Sequence, residues 1–233
     1  YVPHSKEHVF RILDACRQAF GGELSVDCLW RDAHILVVMP TFEAVASIGG
    51  NPRDIIIPRL AIHGGYAGKP FHASFGFYRP LCLNLMILNL VDGISQSIRH
   101  TLSLGDKMES LIEQFQCIRS TWQLTVAQAN AMREREVNVA TFMREFYKVD
   151  DRQTKTKALD NRIEKIINRL YREHTELGLP ISKETANAWL LFNAVQGAFQ
   201  HDFTRKETDK TLRGLDTWND ANLMRAERLL MGV

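Results

Sequence analysis

The sequence predicts an α+β protein: an N-terminal helix, an antiparallel β meander, then a long helix and a C-terminal helical region. Three observations carry this. Short apolar runs bounded by Gly, Pro, Asn or Asp follow one another between residues 23 and 101. From Leu102 the apolar period changes to steps of four and three. Further segments of helical period then continue to the end of the chain.

The 233 residues are enough for a proper core. We divide them into residues 1–101, a helix with a sheet core, and 102–233, a long helix and helical region packed on it, as parts of one continuous domain. Hydrophobic residues at 45% and charged residues at 24% describe an ordinary soluble chain. A net charge of +2 permits nucleic-acid binding without requiring it. Cys16, Cys28, Cys82 and Cys117 lie far apart with no CxxC, which argues against a zinc ribbon or thioredoxin motif and suits reduced thiols in a cytoplasm. No run of about eighteen apolar residues occurs, so no membrane partner is expected. The opening Tyr-Val-Pro-His carries no signal pattern, and the chain is expected to begin inside a longer sequence.

Residues 5–20 read as a helix. Val9, Ile12, Leu13, Cys16 and Phe20 share a face, Ser5 can cap the start, and Gly21-Gly22 ends it. Leu24, Val26, Cys28 and Trp30 alternate over 23–31, and Ile35 to Met39 is a continuous apolar run. Asp32-Ala33-His34 joins them at hairpin length. Residues 41–54, with Gly49-Gly50-Asn51-Pro52, read as a loop. Ile55 to His63 has a strand pattern, which Pro58 demotes to an edge or a bulge. A turn-rich connection, 64–70, leads into a strand at 71–79. Leu83 to Leu90 reads as a short buried helix, and Ile94 to His100 as a short final strand.

Leu104, Met108, Leu111, Phe115, Ile118, Trp122, Thr125, Ala129 and Met132 form a heptad-like seam, expected on one helix of roughly six turns or more. Such a seam serves an intramolecular helix pair or a coiled-coil dimer. Val139, Phe142, Met143 and Phe146 mark a short helix. Leu159, Ile163, Ile166, Ile167, Leu170 and Leu177 mark another, stopped by Gly178-Leu179-Pro180. Ser182 opens a helix carrying Trp189, Phe192, Val195 and Phe199. Residues 204–217 are polar and patternless, and a last helix runs from about Asn219 to Leu230.

Polar clusters stand at the ends of the strand patterns: Arg79, Cys82 and Asn84, then Arg99-His100-Thr101. They serve either a partner or the buried backbone. For nucleic acid, Arg79 and Arg99 would hold phosphates, with Asn84 and His100 adding hydrogen bonds. As structure, the arginines would bridge carbonyls and Asn84 would cap a helix. Cys82, among Leu81, Leu83, Leu85 and Met86, reads as a buried inert thiol rather than a nucleophile paired with His100. Phe71, Phe75 and Phe77 share a face with Ala73 and read as core. Tyr78, on the opposite face, is the candidate for base stacking.

Arg152, Lys155, Lys157, Arg162, Lys165, Arg169 and Arg172 outnumber Asp160 and Glu164 in their stretch. Arg162, Lys165, Arg169 and Arg172 step by three or four and so share one helix face, opposite Ile163, Ile166, Ile167 and Leu170. Arg205, Lys206, Lys210 and Arg213 form a second basic group. Such faces hold a phosphate backbone or are simply solvated. No Walker, GxGxxG, HExxH or paired-carboxylate signature occurs. We therefore name no catalytic residue, metal site or cofactor.

Three of these stretches resemble a known family. Arg79-Pro80-Leu81-Cys82-Leu83-Asn84 is similar to its R-x-x-C-x-N signature, and Ile98-Arg99-His100-Thr101 to its RHT element. Trp189-Leu190-Leu191-Phe192-Asn193-Ala194-Val195, with His201 following, is similar to its W-x-x-x-N-A-V…H element. The family is the phage- and plasmid-borne group known as domain of unknown function 932. Leu85 departs from the small or polar residue that members carry there. The resemblance implies DNA metabolism of a mobile element or conflict with a bacterial host. A weaker fold-level analogy, to single-strand annealing proteins of the RecT and Red-beta kind, rests on helix, meander and crossing helix. The function expected is a non-enzymatic, homo-oligomeric, cytoplasmic protein binding single-stranded DNA, with annealing or recombination as its role. The alternative is a counter-defence or regulatory protein that binds a host protein.

Overall fold

The computed structural model describes residues 2–21, 25–32, 35–82, 84–86, 95–149, 156–203 and 220–232, and it is α+β. Helix α1 (Lys6–Phe20) starts where expected. The Ser5 N–H donates to His8 Nδ1 at 3.2 Å, and the N–H of Gly21, at φ +70°, returns to the Arg17 carbonyl. The strands are β1 (Ser25–Asp32), β2 (Ile35–Thr41), β3 (Ala46–Ile48), β4 (Asn51–Gly65), β5 (Phe71–Arg79), β6 (Asn84–Met86) and β7 (Ser95–Ile98). The chain forms two compact units, one of Tyr1–Ala46, Ile57–Tyr78 and Val91–Thr125, the other of Ser47–Ile56, Arg79–Leu90 and Val126–Val233.

In the first unit β1, β2, β4 and β5 are antiparallel neighbours in that order, and β7 pairs with the first half of β5. Phe71, Ala73, Phe75 and Phe77 are buried, as their alternation requires, and so are His72 and Ser74 on the opposite face of β5. Phe20 of α1 lies 4.9 Å from Phe42 and 5.9 Å from Phe75, ring centre to ring centre. Helix α2 (Leu104–Gln116) packs along α1, and the carboxylate of Glu109 takes two hydrogen bonds from the Arg11 guanidinium.

The meander differs from expectation in three places. Residues 41–54 are not one loop. β3, the Gly49-Gly50 turn and an early start of β4 at Asn51 make a hairpin there. Pro58 does not put β4 at an edge, since β4 lies between β2 and β5. β2 ends at Thr41, opposite Arg59, so Pro58 lies beyond its ladder and breaks no bond to it. At 83–90 the described residues Asn84–Met86 are strand, not helix. The strand expected near 94–100 is β7.

The seam of nine residues is buried throughout, from Leu104 to Met132. It does not run along one helix. Helix α2 stops at Cys117 (φ −91°, ψ 7°), and α3 spans Ile118–Glu134. The Cys117 N–H bonds the Gln114 carbonyl at 3.1 Å, a tighter return that breaks the helix while keeping the apolar period. Being buried within the chain, the seam is not an exposed coiled-coil face.

In the second unit a two-stranded ribbon, β8 (Glu136–Asn138) against β9 (Thr185–Asn187), launches two helices. Asn138 ends β8 and caps α4 (Val139–Tyr147), accepting from the Thr141 N–H at 2.9 Å. Asn187 ends β9 and caps α6 (Ala188–Gly197), accepting from the Leu190 N–H at 3.0 Å. Asn187, not Ser182, therefore starts the Trp189 helix. Ser182 instead accepts from the Glu184 and Thr185 N–H groups. Helix α6 is buried on every side, packs against α5 (Lys157–Glu176) and α7 (Ala221–Met231), and runs into a π-helical turn, Ala198–Asp202. The polar stretch 204–217 lies outside the described residues. Among them no helix is long and apolar enough to cross a membrane.

Two histidines of the first unit set an acid limit. Burial, then the neighbouring His100 and His8, lowers His4 from 6.5 to about 4. Burial and His63, its cross-strand partner, lower His72 from 6.5 to about 3. Below 6.5 the unfolded chain takes protons that the native one refuses, so stability is complete above that pH and falls as acid approaches the native values. The urea midpoint is expected to fall steadily from pH 6.5 to 4, and a His4→Gln, His72→Gln protein should show a shallower fall. An equal slope would assign the acid sensitivity to other groups.

Candidate functional site: a buried ion cluster and the cleft beside Cys82

Arg79 is the last residue of β5 and has no exposed surface. Its Nε donates to Asp54 Oδ1 at 2.7 Å, and its Nη1 donates to Glu173 Oε2 at 2.8 Å. Asp54, on β4, also accepts from Trp189 Nε1 at 3.1 Å. The guanidinium stands 5.6 Å from the centre of a Trp189 ring. Asp54 and Glu173 are themselves 0% and 2% exposed, so all three charges are dry. Burial works against the Arg79 charge, but Glu173, Cys82 and Asp54 outweigh it and raise its pKa. For Glu173 burial wins over the attraction of Arg79 and pushes its carboxyl above the usual range.

Cys82 sits against this cluster. Arg79 Nη1 is 3.5 Å from its sulphur, and the thiol faces Asn193 Oδ1 at 3.8 Å. Asn193 is held by its Nδ2, which donates to the Trp189 carbonyl at 2.8 Å. Cys82 lines a cleft of about 300 Å³ together with Leu81, Arg169, Arg172, Glu173, Glu176 and His201. Cys82 is thus half-buried and cleft-lining, which corrects the expectation of a buried thiol.

His201 lies on the π-helical turn. The next residue, Asp202, accepts from both Nε and Nη2 of Arg169, the latter at 2.8 Å. Arg169 reaches it across Gly197, where a Cβ would come 2.7 Å from Nη1. Only a residue without a side chain leaves that path open. Lys165 donates to the Asp202 carbonyl at 3.1 Å. Arg162 and Lys165 lie 5.4 and 5.9 Å from the Phe203 ring centre.

The structure sorts the expected site residues. Arg79 is committed to two carboxylates and is not open to phosphate. Arg169 is buried and paired with Asp202, so it leaves the expected exposed face, where Arg162, Lys165 and Arg172 remain. His100 is also structural, its ring nitrogens contacting the carbonyls of Val2 at 2.9 Å and Gly65 at 2.8 Å. Arg99 is exposed and, with Gly68, Pro70, Ser97 and His100, lines a cleft of about 610 Å³ in the first unit. Tyr78 is half-buried, with the Arg59 guanidinium 5.4 Å from its ring centre. The Asn84 side chain and Arg205, Lys206 and Arg213 lie outside what the structure describes. Sequence reasoning missed Asp54, Glu173 and Asp202. Glu173 carried a signal, because it continues the buried stripe of Ile166 and Leu170 by one more helical step.

The model of the family described as domain of unknown function DUF932 matches residues 67–219, and the chain belongs to that family. No curated protein and no solved structure matches it. Within the matched region, Arg79 and Cys82 meet Trp189 and Asn193 in the buried cluster.

Removing the one cation shared by two dry carboxylates should be costly. Arg79→Met is expected to lose roughly 3–5 kcal/mol in urea unfolding. Adding Asp54→Asn and Glu173→Gln should cost less than the single changes summed, because the partners are coupled. Additive losses would show that the cluster does not act as a unit.

Proposed function

We propose that the protein binds single-stranded DNA in the cytoplasm of a bacterial host of a phage or plasmid, and that it serves annealing or recombination as an oligomer. The observation that carries this reading is the outer face of α5. Arg162, Lys165 and Arg172 are exposed at helical spacing, and the first two flank the half-exposed ring of Phe203. Cations beside an aromatic ring are what a single strand needs: charge for the backbone and a surface on which a base can stack. Arg169 supports the face from beneath by fixing Asp202, which precedes Phe203. The analogy to RecT and Red-beta type annealing proteins agrees with this reading at the level of element order. Because the α2–α3 seam is internal, copies of the chain would meet through other surfaces.

The test is fluorescence anisotropy with single-stranded oligonucleotides at several salt concentrations. Arg162→Gln, Lys165→Gln, Arg172→Gln protein should keep its fold, since exposed changes cost within about 0.5 kcal/mol each. Its affinity should drop for unrelated sequences alike, and the slope of log K against log salt should shallow by about one unit for each phosphate no longer held. No binding by the unmutated protein at low salt would end the DNA reading and leave a host protein as the partner to seek.

A further inference from the structure

The cleft of the first unit carries charge of one sign. Its walls are Gly68, Pro70, Ser97, Arg99 and His100, with two basic side chains, a hydroxyl and no carboxylate. Strand register builds it. Phe71 pairs with Ile98 and both are buried, so Pro70, just before Phe71, comes to Arg99, just after Ile98. Alternation puts Ser97 and Arg99 on the face of β7 opposite Ile98, and both are exposed. Neither the Arg99 guanidinium nor the Ser97 hydroxyl makes a hydrogen bond or ion pair among the described residues.

Two further observations bear on a ligand. Both ring nitrogens of His100 stand at hydrogen-bond distance from carbonyl oxygens, of Val2 at 2.9 Å and Gly65 at 2.8 Å. Carbonyls only accept, so only the doubly protonated ring makes both bonds, and in that form it brings a positive charge to the cleft wall. The second observation is the turn that supplies Gly68. The Lys69 N–H donates to the Tyr66 carbonyl at 3.1 Å, and Ala67 between them is held at φ +50°. A residue with a Cβ rarely adopts that conformation, and such strain clusters where backbone clamps a ligand. The volume, about 610 Å³, suits a small organic ligand.

We propose that this cleft binds a phosphate group, with the Arg99 guanidinium and the Ser97 hydroxyl donating to its oxygens and His100 supplying a second positive charge from the wall. The guanidinium fork matches two phosphate oxygens, and a hydroxyl beside it takes a third. The ring nitrogens of His100 are spent on carbonyls, so it contributes charge and no donor. Two sources present such a group: the monoester of a free nucleotide and the diester backbone of a nucleic acid. The site belongs to the first unit and does not depend on the reading of the α5 face.

The experiment is arginine footprinting on the intact, unmutated chain. Phenylglyoxal modifies accessible guanidinium groups, and peptide mass mapping follows each arginine separately. The exposed Arg17 and Arg119 are internal standards, and Arg162 and Arg172 report on α5. The probes are inorganic phosphate, thymidine 5′-monophosphate, thymidine and a single-stranded oligothymidylate. A phosphate-bearing probe near saturation should slow modification of Arg99 about fivefold or more, leaving the standards unchanged, and thymidine should not. Protection by inorganic phosphate and the monophosphate assigns the site to a monoester, and protection by the oligonucleotide alone assigns it to a backbone. No protection of Arg99 by any probe, or equal protection of the standards, overturns the proposal. Protection of Arg162 and Arg172 without Arg99 overturns it while sparing the α5 reading, and protection of Arg99 alone does the reverse. Arg99→Gln, Ser97→Ala protein should keep its fold, since both side chains are exposed, and should bind the protecting probe about tenfold or more weakly by isothermal titration. Unchanged affinity in that variant also overturns the proposal.

Discussion

The second unit is built around one arginine. Arg79 joins Asp54 from β4 to Glu173 from α5, and Asp54 in turn holds Trp189 of α6. These residues are far apart in the chain, and each is buried at the point of contact. In an apolar interior a charge without its partner costs several kcal/mol, so only the arrangement that brings all of them together is tolerated. Apolar packing of α6 would accept small slips of the helix against its neighbours. The hydrogen bonds to Asp54 do not, because their geometry fixes β4, β5 and α6 at once.

That fixed cluster lets α5 carry two chemistries. Its inner stripe runs Ile166, Leu170, Glu173, apolar until the step that meets Arg79. Its cations divide between the two sides. Arg169 turns inward to Asp202, while Arg162, Lys165 and Arg172 stay exposed. The Arg169–Asp202 pair thus links the helix to the π-helical turn, setting His201 on one side of Asp202 and Phe203 on the other. A single ion pair supports both the cleft-lining histidine and the aromatic ring beneath the cations.

Much of the fold is legible because helix and strand periods report burial directly. The seam from Leu104 to Met132 can be read residue by residue, and each of its members is buried. The break at Cys117 is not legible, since a tight turn that preserves the apolar period leaves no gap in the pattern. β6 reads as a helix because a short apolar run has no period to separate the two. At the site, the sequence brings forward Arg79, Cys82, Asn193 and His201 through a resemblance. It leaves Arg79 open between a phosphate-holding and a structural task, because an exposed and a buried arginine look alike in sequence. Asp54 and Glu173 decide the matter, and their partnership with Arg79 spans too many residues to be read from spacing.

The charges of the cluster do not cancel. Two carboxyl groups, Asp54 and Glu173, face one guanidinium, and the nearby Arg169 is already matched by Asp202. Full ionisation would leave excess negative charge in a dry site; burial first, and the nearby Asp54 to a lesser degree, push the carboxyl of Glu173 toward its neutral form. A purely structural pair would have been stable with one carboxylate, or with an apolar substitute of similar volume. A second carboxyl is nonetheless kept at the wall of a cleft beside Cys82, 2% exposed, and the cluster tolerates it because burial holds Glu173 toward the neutral acid.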